Sequence, residues 1–501
     1  MSGPFDVDVV VVGGGPVGVA ALAMLGQVGL TAVGLERDTE MWPTARAVHF
    51  DGEAFRALQA LGVADALADA TLPMSSMHIQ NEDGEVLVSV PTGRFGTQAW
   101  HDDLTFHQPD VERVLRDVVD DTPGVELRCG VTVTRVANVA DGVEVSTVDA
   151  DGSTTTLRAR WVIAADGARS SIRHAIGGTA EKFGHDAQWV VVDGHLVDSE
   201  GYEDDMIFLC HHTRPAMWIR RPGTRVRMEF MLLDGDDPEE IVTPAAIERI
   251  SRGILPQATF TAERQALYTF RGRIAERWRD GNIFLAGDAA HLAPPCFGQG
   301  LCAGIRDVAN LVWKLDLVKR GAAAPALLDS YETERKPHAR FWVEQAVTAA
   351  GFLQTTDPGV ARQRDAYIRA NPLAAAPVSP PLGPGLHEGD RDDRAGRLSV
   401  QPLLKDGVRL DDMVGLHFVV AVPSALYTDL DPVLRTQLES SGDVVVLLDP
   451  AKIDPILDGA GARAVVIRPD RYILGAADSA QDLGRLIRMI PGVTVPEPQN
   501  A

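Results

Sequence analysis

The segment Gly13-Gly14-Gly15-Pro16-Val17-Gly18 follows a short apolar run, Asp8–Val12, and opens a small-residue stretch, Pro16–Val28. That order predicts a buried strand, a glycine turn and a helix with proline near its start. Thr31–Glu36 reads as a second strand, and Glu36 closes it 23 residues after Gly13. In such a unit the glycines let the backbone approach a pyrophosphate, and the helix N-terminus favours the charge. An acid at the end of the second strand accepts from a ribose hydroxyl. The combination favours dinucleotide binding over a plain tight turn, without separating FAD from NAD(P).

The chain's 501 residues exceed the roughly 250–300 at which single cores stop growing, so two or three domains are expected. With 45% hydrophobic and 23% charged residues, disorder, collagen-like repeats and coiled coil are poor readings. A net charge of −23 opposes binding to nucleic acid or an anionic membrane. Four cysteines, Cys129, Cys210, Cys296 and Cys302, form no CxxC, which argues against a disulfide scaffold or structural zinc and for a reducing cytoplasm. The N-terminus lacks a basic region before its apolar run, and no segment approaches the ~18 apolar residues of a membrane span. The expectation is an unprocessed, soluble, cytoplasmic protein with no metal.

Further along, Val125–Asp166 alternates like an antiparallel meander, with turns at Asp141-Gly142 and Asp151-Gly152. From Trp189 to about Phe270, β-rich runs suggest a separate sheet, the expected substrate platform. Asn282–Ala286 reads as a buried strand leading to a long helical region from Leu301 to Gln345. Prolines at 372, 377, 380, 381 and 384 mark a domain boundary. Beyond it, strands at Leu416–Val422, Val444–Leu448, Ala464–Arg468 and Tyr472–Ala476 alternate with helices near Val433–Ser440 and Ile453–Leu457. A small α/β module without cysteine follows.

Two later motifs narrow the cofactor. Asp166-Gly167-Ala168-Arg169-Ser170-Ser171-Ile172-Arg173 has the form D-G-x-x-S-x-x-R after a strand. The strand Asn282–Ala286 runs into Gly287-Asp288-Ala289-Ala290-His291, followed by Pro294-Pro295 and Gly298-Gln299-Gly300. With these motifs the sequence resembles the class A flavoprotein aromatic hydroxylases, the p-hydroxybenzoate and phenol hydroxylase family, over nearly its whole length. Trp189–Asp193, Arg227–Met231 and Gly304–Leu315 are most similar to 3-(3-hydroxyphenyl)propionate hydroxylases, and polyketide-tailoring hydroxylases share many of these stretches. The loop departs from the family's usual P-P-F in having Pro294-Pro295-Cys296-Phe297.

The resemblance implies an α/β fold: a doubly wound, GR2-type Rossmann FAD domain, an interposed β-sheet substrate domain, and a thioredoxin-like C-terminal domain. The expected spans are 1–180 and 276–370 for the discontinuous FAD domain, 181–275 for the substrate domain and 385–501 for the tail. It implies that Gly13, Gly15, Gly18, Glu36 and Arg37 hold the ADP half of non-covalent FAD, with Arg46 at a phosphate. Asp166 would serve both FAD and NAD(P)H pyrophosphates; Gln108, Gly287 and Asp288 would meet the ribityl chain. The loop's own chemistry agrees: Pro295, Gly298, Gly300, Leu301 and Cys302 lie where free amides at a helix N-terminus suit the anionic edge of reduced flavin. Cys296 and Cys302 are read as inert thiols, and His291 as structural.

The implied reaction consumes NADH or NADPH and O2 and hydroxylates a phenolic substrate through a flavin C4a-hydroperoxide. His211 and Arg214 are substrate-positioning candidates, because a cation there pairs with a propionate carboxylate; solvated loop residues are the plainer alternative. His49, near Arg46, is a third candidate. A halogenase would carry W-x-W-x-I, which this sequence lacks. A non-catalytic flavin-bound interaction protein is the rival from another class, and a homodimer is compatible with the tail.

Overall fold

The computed structural model describes residues 5–42, 46–198, 203–255, 259–371, 378–404 and 407–493. Among them are two eight-stranded sheets, one four-stranded sheet and one three-stranded sheet. In the first, five strands run parallel in the order Ile283–Leu285, Thr154–Ala164, Val7–Val12, Ala32–Glu36, Val125–Cys129. Val9, Val10 and Val11 are fully buried, as a strand covered on both faces requires, hence the continuous apolar run. The helix Pro16–Gln27 buries Gly18–Leu25 against this sheet. The expected meander over Val125–Asp166 begins one strand late, because Val125–Cys129 pairs in parallel with Ala32–Glu36. As a half-exposed edge strand it alternates in burial, and so looks antiparallel from sequence.

The second sheet runs His291–Leu292, Phe260–Ala275, Ala180–Leu196, Arg225–Met231, Ala216–Arg220, Met206–Cys210, Ser76–Asn81, Val86–Pro91. Its pairs are antiparallel except Met206–Cys210 with Ser76–Asn81. Val190, Val192, Trp218, Val226, Met228 and Phe230 form a core on one face. The alternate residues of the same strands point the other way, towards a large cavity.

The long helical region is two helices, Gln299–Lys319 and Ser330–Leu353, broken by the turn Pro325–Asp329. Pro380, Pro381 and Pro384 lie in irregular backbone, while Pro372 and Pro377 fall outside the described residues. The four-stranded sheet has the order Val444–Leu447, Phe418–Ala421, Ala464–Ile467, Ile473–Ala477, with the first pair parallel and the others antiparallel. With helices Pro432–Ser440 and Pro450–Ala460 it is thioredoxin-like and without cysteine. Trp313 and Leu317 of the first long helix enter its core. Among the described residues no helix is long and apolar enough to cross a membrane.

Candidate active site

A cavity of about 2120 Å3 extends from the glycine turn to the second sheet and is lined by residues of both large sheets. At its first end, a Cβ on Gly18 would stand 1.9 Å from the carbonyl oxygen of Gly13, so only glycine allows this turn to close on the helix. The Gly14 N–H donates to Glu36 Oε2 at 2.6 Å, which ties the turn to the second strand. A Cβ on Gly15 would meet nothing within 4 Å; the backbone there faces open cavity. Glu36 and Arg37 line the same end. Arg116, outside every sequence motif, donates to the Gly14 carbonyl at 3.0 Å while its Nε is buried without a partner.

Asp166 lies two residues beyond the strand Thr154–Ala164, with one carboxylate oxygen engaged and one unpartnered. Oδ2 accepts from Ser171 N–H at 2.9 Å, whereas Oδ1 is buried without a partner. Arg173, the last residue of D-G-x-x-S-x-x-R, donates to the carbonyls of Ala168 (3.0 Å) and Ala289 (2.9 Å), locking this motif to Gly287-Asp288-Ala289. The second motif is braced from below. Asp307, fully buried in the helix Gln299–Lys319, accepts from Gly287 N–H at 3.1 Å and sits 2.7 Å from His291 and 3.0 Å from Arg335. His291 is thus structural, and Asp307 is the support that motif reading leaves unassigned. Asp288 itself opens into the cavity. The surrounding protein raises its carboxyl against the pull of His291, Arg46 and Arg173.

The loop Pro294–Gly298 meets the helix Gln299–Lys319 at Gly298, whose φ of +62° caps the helix in the left-handed region. Pro295, Cys296, Gly298, Gly300 and Leu301 line the cavity, so the first N–H groups of a 21-residue helix open onto it. Cys302 is buried behind them, its sulfur 3.7 Å from the carbonyls of His49 and Gly298. All four cysteines are free thiols. Burial pushes Cys296 up to about 12. His49 lines the cavity beside Gly298. Burial opposes its charge, yet Asp103, 2.8 Å from Nε2, holds it well above the ordinary histidine value.

Gln108, the first residue of the helix Gln108–Asp121, accepts from the N–H groups of Arg46 and Ala47, both at 2.8 Å, and donates to Glu112 at 2.6 Å. Its amide therefore fixes the Arg46 segment; Arg46 lines the cavity and stacks 5.3 Å from the Trp42 ring. His211 and Arg214 do not line the cavity. Arg214 is held bidentately by Asp236, at 2.7 and 2.9 Å, and burial lowers His211 beside Arg364. The second sheet instead turns to the cavity residues that include Met77, Ile79, Val191, Met206, Phe208, Met217, Ile219, Arg227 and Glu229.

The site fits FAD on three observations: the unpartnered Asp166 oxygen, the open face at Gly15, and the helix N-terminus turned to the cavity. The model of the FAD binding domain family matches residues 6–346. The chain is 33% identical to the probable NADH-specific resorcinol 4-hydroxylase of Rhodococcus jostii, covering 98% of this chain and 96% of the relative. It is also 33% identical to 3-(3-hydroxy-phenyl)propionate/3-hydroxycinnamic acid hydroxylase 2 of Burkholderia vietnamiensis, covering 94% of each. Among solved structures, the flavin-dependent monooxygenase PieE with FAD and substrate superposes at TM-score 0.81 and 22% identity, covering 96% of this chain and 98% of that one. Aklavinone-11 hydroxylase with FAD and aklavinone also gives 0.81 at 22%, covering 98% and 100%. The glycine turn, the two aspartate motifs and these likenesses converge: the chain belongs to the FAD binding domain family, among its flavoprotein aromatic hydroxylases.

Proposed function

We propose that the protein hydroxylates a neutral, single-ring phenol, using NADH and O2. The observation that carries this reading is the far end of the cavity, where Met77, Ile79, Met206, Phe208, Met217 and Ile219 make an apolar floor for an aromatic ring. Arg227, which lines the cavity, is engaged by Asp193 at 2.8 Å, and Arg214, which does not, by Asp236 at 2.7 Å. Neither is offered to a propionate carboxylate, which favours a resorcinol-like substrate. The two whole-length relatives named for single-ring phenols support the ring size, and the resorcinol hydroxylase's name supports NADH.

Bound FAD supplies hydride acceptance and oxygen activation; the chain holds and shields it. Gly13 and Gly15 would bring backbone to the pyrophosphate, with Gly18 letting the turn close on the helix and with Arg116, Arg46 and Asp166 available to it. Glu36 and Arg37 would hold the ribose and Asp288 the ribityl hydroxyls, and the amides at Gly300 and Leu301 would stabilise negative charge on the flavin. Phe341 and Trp342 of the second long helix wall the cavity and would shield a bound ring from water. The four free thiols suit a reducing cytoplasm, where we place the protein.

The test is NADH oxidation with product mass over a panel of phenols. Resorcinol is expected to stimulate oxidation and to gain one oxygen atom. A stronger response to 3-(3-hydroxyphenyl)propionate would overturn the neutral-phenol reading, and a response confined to polycyclic phenols would replace it with polyketide tailoring.

A further inference from the structure

We infer that Glu229 receives the substrate's phenolic hydroxyl, a role that rests on the reading above of the substrate as a phenol. The strand register builds the case. Ile79 pairs with Phe208, Phe208 with Met217, Met217 with Glu229, and Glu229 with Val191. All five face the cavity. One carboxyl therefore interrupts a row that is otherwise Ile, Phe, Met and Val, directly opposite the loop that carries Pro295 and Cys296.

This carboxyl is not explained by the protein around it. Glu229 is 3% exposed, and its Oε2 is buried without a hydrogen-bond partner. Its neighbour Arg227 approaches no closer than 3.7 Å and is committed elsewhere, to Asp193 at 2.8 and 3.0 Å and to the Arg46 carbonyl at 2.8 Å. An unpartnered buried oxygen is costly, and a ligand hydroxyl donating to it removes the cost. Burial raises Glu229 to about 7, with Arg227 and Arg221 lowering it and Asp193 raising it. Cys296 on the facing loop is a neutral thiol. The carboxyl thus ionises in the neutral range, where it can both accept and return a proton.

The ionised carboxylate accepts the phenol O–H. O2 supplies the oxygen and NADH two electrons. As one oxygen atom bonds to a ring carbon, its bond to the second oxygen breaks and that second atom leaves at the level of water. At the same time the phenol O–H bond breaks, its electron pair moves into the ring, and the proton passes to Glu229. Rearomatisation sends the ring-carbon proton to water while the former phenol oxygen takes its proton back from the carboxyl.

The experiment titrates resorcinol into the oxidised, FAD-loaded protein and follows the flavin absorption difference, from about pH 6 to about pH 8. Wild type is expected to tighten about tenfold as Glu229 ionises. Glu229→Gln is expected to bind about tenfold to a hundredfold more weakly at the upper pH, with a flat profile. Resorcinol dimethyl ether, which has no hydroxyl to donate, should bind both proteins alike. Glu229→Asp, which keeps the carboxyl, should restore the pH dependence. A Gln variant with wild-type affinity and slope overturns the assignment. So does a flat wild-type profile, which needs no variant to fold. A wild type that binds no phenol overturns the substrate reading itself, and this assignment with it.

Discussion

Asp288 sits in the turn Gly287–Ala289 and lines the cavity, where we propose that it holds the cofactor's ribityl hydroxyls. Asp288→Ala should weaken FAD binding by about tenfold to a hundredfold, since a buried hydroxyl left without a charged acceptor costs about 1–3 kcal/mol. Flavin fluorescence quenching on adding FAD to apoprotein measures this; unchanged affinity would leave Asp288 as a turn-forming residue only. Cys296 makes the opposite prediction. Its thiol is pushed up to about 12 by burial, so it is no nucleophile near neutral pH. Cys296→Ser should retain more than trace product per NADH, though coupling can change as the pocket wets. Complete loss of product with FAD bound and reducible would show direct thiol participation. At this scale, Gly13, Gly15, Glu36, Asp166 and Asp288 were legible as cavity-lining residues because each sits in a short motif whose spacing has a mechanical reason. The proposed substrate residue was not: Glu229 lies in Arg227–Met231, a stretch that carries the family resemblance, but nothing local gives its carboxyl a role, and only the register of Arg225–Met231 against Ala216–Arg220 and Ala180–Leu196 turns it to the cavity. His211 and Arg214 share a short stretch with that sheet, yet the chain around them aims Arg214 at Asp236.

Among the elements, the strand–turn–helix unit at the N-terminus has the least slack. Gly18→Ala would place a methyl 1.9 Å from the Gly13 carbonyl oxygen, and that oxygen belongs to backbone that cannot rotate away. Relief requires the helix Pro16–Gln27 to move off the sheet, at an overpacking cost of about 1–3 kcal/mol. The expected outcome is protein that folds but purifies with less than a tenth of wild-type flavin, read from the absorbance ratio; full flavin content would mean that the turn adapts. Elements with an unbroken apolar run or with capping prolines were readable: the four strands and two of the helices of the tail lie within a few residues of their expected positions. The sheet partners were not. Nothing local in Ser76–Asn81 says that it pairs in parallel with Met206–Cys210, more than a hundred residues away. The cross-braces Asp307–Arg335 and Arg173–Ala289 were hidden for the same reason, since each joins elements distant in sequence.

On the scale of the whole molecule, the thioredoxin-like tail is joined to the FAD domain through buried charge as well as through Trp313 and Phe418, whose rings stand 5.5 Å apart. Glu334, fully buried in the second long helix, takes Arg468 of the tail at 2.7 Å, Lys314 at 2.7 Å and Asn310 at 2.8 Å, and accepts from Leu386 N–H at 2.7 Å. Asp470 of the tail sits 2.6 Å from Arg468 and 2.9 Å from Asn310. Burial alone would raise Glu334, but Arg468 and Lys314 hold it well below its ordinary value of 4.5. The folded state therefore binds the proton more weakly than the unfolded chain. Stability from this carboxylate is fully present above that ordinary value and is lost as pH falls below it. Glu334→Gln removes the charge and leaves Arg468 and Lys314 buried without it, which should cost about 3–5 kcal/mol near neutral pH. The difference from wild type should then shrink towards about pH 3, because the unfolded chain's glutamate takes up a proton there that the folded carboxylate still refuses. Denaturant unfolding of the FAD-loaded protein, followed by flavin release and by far-UV signal across that range, measures both terms. A cost that stays constant with pH would show that Glu334 acts through shape and hydrogen bonding alone, and that the tail is not held by its charge.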